Sequence, residues 1–290
     1  LTCTEAPRSV ATDHAGFGMA PIKKLNTLLQ QVTPIAREAG RMTLAPQRDE
    51  RATEEKSTAI DLVTAMDQRV EAYIRKQLTG MFPDHLFVGE EEDKDHPERI
   101  EDLPDDAWLV DPIDGTTNFA HGFSQYAVSI AYWHNQRPTV GIIYRPVSDE
   151  LFTAITGVGA WLNGLPIACS KKSELAQSLT VTGYGYDRCE HPEKYIELTR
   201  RLMLNTHGVR RLGAACLDLC EVARGALDVY AEHQLKPWDF AAGMLIAQEA
   251  GTLVTHFDGS PLTFGKGGIL ACNPALHPQA VELLHDTPLD

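Results

Sequence analysis

Two aspartates three residues apart carry the first chemistry legible in this chain. They lie in the run Trp108-Leu109-Val110-Asp111-Pro112-Ile113-Asp114-Gly115-Thr116-Thr117-Asn118-Phe119. An apolar strand ends in Asp111, and Pro112 stops the strand while fixing the backbone. In an extended strand Asp111 and Asp114 would face opposite ways. A turn at Pro112 brings both carboxylates to one point, with the Ile113 carbonyl beside them. Gly115-Thr116-Thr117 then offers backbone N–H groups, which suit a phosphate where a helix or tight turn starts. Such a set describes a hard-cation site beside a phosphoryl group. Taken alone, the segment also reads as a plain Asp-Gly turn after an Asp that caps the next element.

Two further acidic clusters stand where a strand meets a turn or a helix. Gly89-Glu90-Glu91 ends the strand before the main motif, and Lys236-Pro237-Trp238-Asp239-Phe240-Ala241-Ala242-Gly243 opens a helix. Singly, Asp239 is also a favourable charge at a helix N-terminus, worth a few tenths to about 1 kcal/mol. Together with Asp111 and Asp114, these residues supply the carboxylates that two or three magnesium ions require. The donors are oxygens, with no His-x-x-x-His, cysteine cluster or EF-hand spacing, which favours magnesium over zinc or calcium. Phosphate-ester hydrolysis is very slow uncatalysed, and paired metals address it by activating water and stabilising the leaving oxygen.

The rest of the chain must position these groups. It has 290 residues, 43% of them hydrophobic and 23% charged, a globular composition that excludes wholesale disorder. Asp and Glu number 40 against 26 Lys and Arg, for a net charge of −14. That balance repels phosphate backbones, so no direct nucleic-acid binding is expected, and an anionic substrate needs bound cations to enter. The longest stretch free of charged residues, 115–136, carries too many polar groups to span a membrane, and no signal peptide is evident. A cytoplasmic location is expected. Cys216 and Cys220, four apart on a helix, read as small core residues rather than metal ligands.

Residues 1–20 have no periodicity and read as a flexible N-terminal extension, with Met19 as the start of the protein proper. Helical spacing follows over 21–44, with a kink or break expected at Pro34, and again over 64–81. Strand signals occupy 86–88, 107–110, 126–133, 139–144, 150–155 and 160–162. Beyond residue 170 the pattern alternates: strand 179–183, helices 192–204 and 213–224, strand 227–231, helix 238–250, strands 252–257 and 268–272, helix 276–285. The shift predicts an α+β half over 21–166, holding the main metal-binding motifs, and an α/β half over 167–290 that completes the site.

GEE, DPIDGTTNF and WDFAAG, in this order and at these intervals, resemble the inositol monophosphatase family over about residues 21–285. The likeness extends to Lys56, to residues 59–67, to Gly213-Ala214-Ala215 and to residues 235–239, where it is closest to the bacterial branch. The resemblance implies a layered α-β-α-β-α sandwich of the inositol monophosphatase and fructose-1,6-bisphosphatase type, a homodimer, magnesium dependence and inhibition by lithium. Glu90, Asp111 and the Ile113 carbonyl would hold one magnesium. Asp111, Asp114 and Asp239 would hold a second, and Glu90 would help with a weaker third. Thr116 and Asp67 would polarise the attacking water, with Glu90 orienting it. The Gly115 and Thr116 amides would receive the phosphate. Ala215, Glu232, Asp114 and Asp239 would contact the substrate's hydroxyls.

The residues themselves leave other readings for some of these positions. Asp67 in the first turn of a helix also favours the helix dipole. Glu232, following the strand at 227–231, also reads as a surface charge. Lys56 reads as solvated, and His121 and His233 as structural or supporting. The implied reaction is hydrolysis of a phosphate monoester, foremost inositol 1-phosphate, by a metal-activated water. Histidinol phosphate, sugar bisphosphates and nucleotides are the alternative substrates, and a regulatory protein binding the transcription machinery is the alternative class. Thr117, where nucleotide bisphosphatases typically carry lysine, leans toward inositol phosphates. The stretch Gly183-Tyr184-Gly185-Tyr186-Asp187 occupies the variable part of the site.

Overall fold

A computed structural model of the chain describes residues 19–45, 53–55, 62–91, 103–262 and 267–287. Lys56 and the extension before Met19 lie outside the described residues. The chain opens with α1 (Met19–Thr43), β1 (Thr53–Glu55), β2 (Leu62–Thr64), α2 (Ala65–Met81), β3 (Leu86–Gly89), β4 (Ala107–Asp114) and α3 (Thr116–Ala120). A meander follows: β5 (Ala127–His134), β6 (Arg137–Arg145), β7 (Glu150–Ile155), β8 (Gly159–Leu162) and β9 (Leu165–Pro166). Then come β10 (Leu179–Thr182), α4 (Pro192–Asn205), β11 (Gly208–Arg210), α5 (Ala215–Ala223) and β12 (Val229–His233). The last elements are α6 (Pro237–Glu249), β13 (Leu253–His256), β14 (Gly268–Cys272) and α7 (His277–Leu284).

β3 to β9 form a seven-stranded sheet in sequential order, and β11-β10-β12-β14-β13 form a five-stranded one. Each mixes parallel and antiparallel pairs. Strand periodicity of two sends alternate residues of β4 to different cores. Trp108 and Val110 join Val32, Ile35, Val70 and Ile74 of α1 and α2. Ala107 and Leu109 face the opposite way, into a core with Leu217 of α5, Leu245 of α6 and Tyr230 of β12. A third core packs Leu198 of α4 and Leu284 of α7 against Val229 and Leu270 on the far face of the smaller sheet. The middle core fills both faces of the α5/α6 layer, so these three cores occupy the four interfaces of an α-β-α-β-α sandwich. Cys216 and Cys220 are both fully buried in the middle core.

Two expected interruptions, a break at Pro34 and a strand end at Pro112, do not occur. α1 runs unbroken through Pro34. Pro34 and Gln30 are exposed, so the carbonyl that loses its partner to the ring faces water. Meanwhile Leu25, Leu28, Val32, Ile35 and Ala39 anchor the other side of the helix. Pro112 does not stop β4, which continues to Asp114. The parallel neighbour β3 pairs only as far as Val110, so the missing N–H falls where that ladder has already ended. Among the described residues no helix is long and apolar enough to cross a membrane.

Candidate active site

Strand register delivers Glu90 to Asp111. β3 and β4 run parallel with Gly89 opposite Val110, so Glu90, just past the end of β3, falls beside Asp111, which continues β4. There Glu90 comes close enough to Asp111 to raise the pKa of its carboxyl group. On the other side of β4, Asp111 pairs with Ser129 and Asp114 with Ala127. Three steps along β4 therefore match two along β5, and this bulge cancels the alternation that would set the two aspartates on opposite faces. The turn after Glu90 is pinned from behind: buried Glu71 in α2 accepts the Glu91 N–H at 2.9 Å and pairs with Arg75 at 3.3 Å.

Helix starts supply the remaining carboxylates. Asp67 and Asp239 occupy the third helical position of α2 and α6. Each accepts, through Oδ2, the N–H three residues back: Thr64 at 2.9 Å and Lys236 at 2.8 Å. That capping bond leaves Oδ1 for the site. Asp67 Oδ1 accepts Thr116 Oγ1 at 3.0 Å. Asp114 reaches across to α5, whose cap residue Ala214 has no hydrogen-bonding side chain. Its carboxylate accepts the Ala215 and Cys216 N–H groups at 3.2 and 2.6 Å. Gly115 precedes α3 at φ +95°, and a Cβ there would stand 2.9 Å from the Gln125 carbonyl, so only glycine suits the position. Asn118 Nδ2 straps the same loop to the Gln125 and Leu212 carbonyls at 2.7 and 2.8 Å.

The electrostatics are those of crowded acids. Burial, then Glu90, Asp114 and Asp239, raises the Asp111 pKa well above the carboxylate range. Asp239 is raised similarly, by burial, Glu90 and Asp114. Burial takes Asp114 up to about 6 against the lowering effect of the Cys216 and Ala215 bonds. Asp67 also rises to about 6, chiefly by burial and partly by Glu90, with the Thr64 and Thr116 bonds opposing. The charges that act most on Asp111 are those of other acids, a repulsion that a divalent cation relieves. Among the described residues no three His, Cys, Asp or Glu side chains close around a point as a finished metal cage. Each aspartate commits oxygen to a backbone amide instead, Asp111 to Ile113 N at 3.0 Å. An ionised carboxylate has further lone pairs beyond one or two such bonds, so the donor chemistry fits a hard cation that keeps part of its water.

Glu232 is a correction. It lies within β12, not after it, and is 7% exposed, so it is no surface charge. Tyr230 Oη donates to Glu232 Oε2 at 2.8 Å. Burial pushes its pKa up to about 7, opposed by the Tyr230 bond and the Arg211 charge. Of the other expected residues, Ala215 opens α5 with its N–H on Asp114. The Ile113 carbonyl faces the Thr116 hydroxyl at 3.0 Å. His121 is exposed, while His233 is fully buried, with neither ring nitrogen hydrogen-bonded among the described residues and its pKa lowered to about 4 by burial.

Sequence reasoning passed over Glu71, Asn118, Tyr230 and Asp218. Asp218 lies in α5 with both carboxylate oxygens buried and without a hydrogen-bond partner among the described residues. Burial raises its pKa well above the ordinary range, with Glu232 and Asp114 adding. The usable signal was a charge on an apolar stripe: Asp218 sits between Leu217 and Leu219, and both neighbours are buried.

The five-layered mixed sandwich, with acids from the ends of β3 and β4 and the starts of α2 and α6, is the architecture of a phosphatase family whose members depend on metals. Residues 24–289 match the inositol monophosphatase family, and the chain is a member of that family. It is 40% identical to an inositol-1-monophosphatase of Synechocystis over 268 residues, 91% of each chain. It is also 36% identical to a putative Nus factor SuhB of Neisseria meningitidis, over 90% of this chain and 98% of that one. Among solved structures, an inositol monophosphatase from Anabaena superposes with a TM-score of 0.78 at 38% identity, covering 92% of this chain and 98% of that one.

Proposed function

We propose that the chain is a magnesium-dependent phosphomonoesterase acting on inositol 1-phosphate, as a cytoplasmic homodimer. The reading is supported most by the crowding of buried Asp111 by the charges of Glu90, Asp114 and Asp239, all of which raise its pKa. Glu90, Asp111 and the Ile113 carbonyl are assigned to one magnesium, and Asp111, Asp114 and Asp239 to a second, with Glu90 also serving a weaker third. Bound there, magnesium supplies charge for the phosphoryl oxygens and lowers the pKa of water. Thr116, donating to Asp67 Oδ1, presents its oxygen lone pairs to that water, and the proton leaves through the hydroxyl toward Asp67. Glu90 orients the same water. The Gly115 and Thr116 amides receive the phosphate at the start of α3. Glu232, Ala215, Asp114 and Asp239 meet the hydroxyls of the polyol.

The test is phosphate release from a panel: inositol 1-phosphate, histidinol phosphate, adenosine bisphosphate, fructose bisphosphate and NADP, with and without magnesium. The reading expects magnesium-dependent preference for inositol 1-phosphate. Preference for another ester moves the substrate and keeps the metal site; no turnover by folded protein overturns the enzymatic reading. A second reading, a protein that binds the transcription machinery, is favoured by the likeness to the Neisseria protein named a putative Nus factor. Partner capture by both wild type and Asp111→Asn would support it, since such binding needs no catalytic metal.

A further inference from the structure

β10 and β12 are parallel neighbours with Thr182 opposite Ala231. The next residue on each strand therefore brings Gly183 beside Glu232, the same register device that sets Glu90 beside Asp111 on the larger sheet. The approach is close. A Cβ on Gly183 would stand 1.9 Å from Glu232 Oε1, 2.2 Å from its Cδ and 2.3 Å from Oε2. Contacts below 3.0 Å are essentially never made by real Cβ atoms. Gly183 does not adopt the left-handed backbone that favours glycine, so a side chain is excluded there by the Glu232 carboxylate and not by strain. The carboxylate's other fixed partner is the Tyr230 hydroxyl, which donates to Oε2 at 2.8 Å from a fully buried ring.

We propose that Gly183 and Tyr230 together seat the Glu232 carboxylate, and that Gly183 is thereby a specificity-determining positioning residue. The inference rests on the reading of Glu232 as a contact to a substrate hydroxyl. A methyl group at position 183 meets the far end of a side chain, not backbone. It displaces the carboxylate from Tyr230 rather than parting the strands, and the recognised hydroxyl loses its acceptor. Esters without hydroxyls do not sense the change. The first residue of the Gly183–Asp187 stretch thus acts on substrate choice without touching substrate.

The experiment measures kcat/KM for inositol 1-phosphate and for 4-nitrophenyl phosphate, which has no polyol hydroxyls, and takes their ratio. Wild type, Gly183→Ala, Tyr230→Phe, Glu232→Gln and the double variant Gly183→Ala/Glu232→Gln are compared at saturating magnesium. The ratio is expected to fall about tenfold in Gly183→Ala, the scale of one charged hydrogen bond, with the loss in KM for the polyol ester. Tyr230→Phe is expected to shift it the same way without adding volume. The double variant should come close to Glu232→Gln, because the charged acceptor that Gly183→Ala would displace is already gone. A Gly183→Ala ratio within about twofold of wild type, or losses that multiply in the double variant, overturns the proposal. If Gly183→Ala does not fold, an unchanged Tyr230→Phe ratio overturns it instead. An unchanged Glu232→Gln ratio overturns the reading of Glu232 itself, which is a separate result.

Discussion

Thr116 Oγ1 lies 3.0 Å from Asp67 Oδ1 and 3.0 Å from the Ile113 carbonyl. Its single hydrogen thus has two acceptors, and the hydroxyl ties the start of α2 to the bulged end of β4. Asp67 cannot drift from this contact, because Oδ2 is held by the Thr64 N–H at 2.9 Å. The pair spans 49 positions in the chain.

Thr116→Val keeps the branched shape and removes the hydroxyl. Turnover should fall about 10²-fold or more, the usual size of a general acid–base contribution. Asp67→Asn should cost a similar factor, and the double variant little more than either single. Kinetics at saturating magnesium decide the matter; losses that multiply would show that the two residues act separately.

Stability without divalent cations should fall as pH rises. In the folded chain Asp67 and Asp114 are raised to about 6 and Glu232 to about 7, from 3.8 and 4.5. Burial also raises Asp111, Asp218 and Asp239. A folded pKa above the unfolded one stabilises fully below the unfolded value and is lost as pH climbs through the folded one. His233, His85 and His277, all lowered by burial, act in the opposite sense, but they are three against six. Chelator-treated protein should melt higher at about pH 5.5 than at about pH 8, and magnesium should narrow the gap. A metal-free chain that melts higher at the alkaline end contradicts this electrostatic picture.

Gly115→Ala tests the loop that follows the two aspartates. The substitution meets both a positive φ and a carbonyl 2.9 Å from the new Cβ. It should destabilise by about 1–3 kcal/mol and lower turnover by moving Asp114 and Thr116 together. Denaturant titration and steady-state rates measure the two effects. An alanine variant as stable and as active as wild type would remove the glycine from the account.

The main strands and the acids beside them were legible, though not where those strands end, because periodicity and residue type both speak there. The buried faces of β4 and the capping position of Asp67 belong to that group. What stayed hidden depends on register. Nothing local to Glu232 says that β12 extends two residues past Ala231, or that a parallel neighbour places Gly183 beside it. Pro34 and Pro112 misled for a related reason. The cost of a proline depends on whether its lost hydrogen bond had a partner to lose, which tertiary structure alone determines. Asn118 and Asp114 tie the DPIDGTTNF loop to Leu212 and to α5 across more than ninety residues, and no short-range pattern announces such bonds.

The most direct test compares wild type with Asp111→Asn for phosphate release from inositol 1-phosphate across a magnesium titration. The substitution keeps the side chain's shape and removes the charge shared by both proposed metal sites. Wild type should depend on magnesium throughout. The variant should lose more than about 10²-fold in turnover, since even an outer partner of a metal ligand is worth up to that much, while melting cooperatively as a folded protein. An Asp111→Asn enzyme that retained near-normal turnover, or a wild type that released phosphate equally well in chelator, would contradict the account.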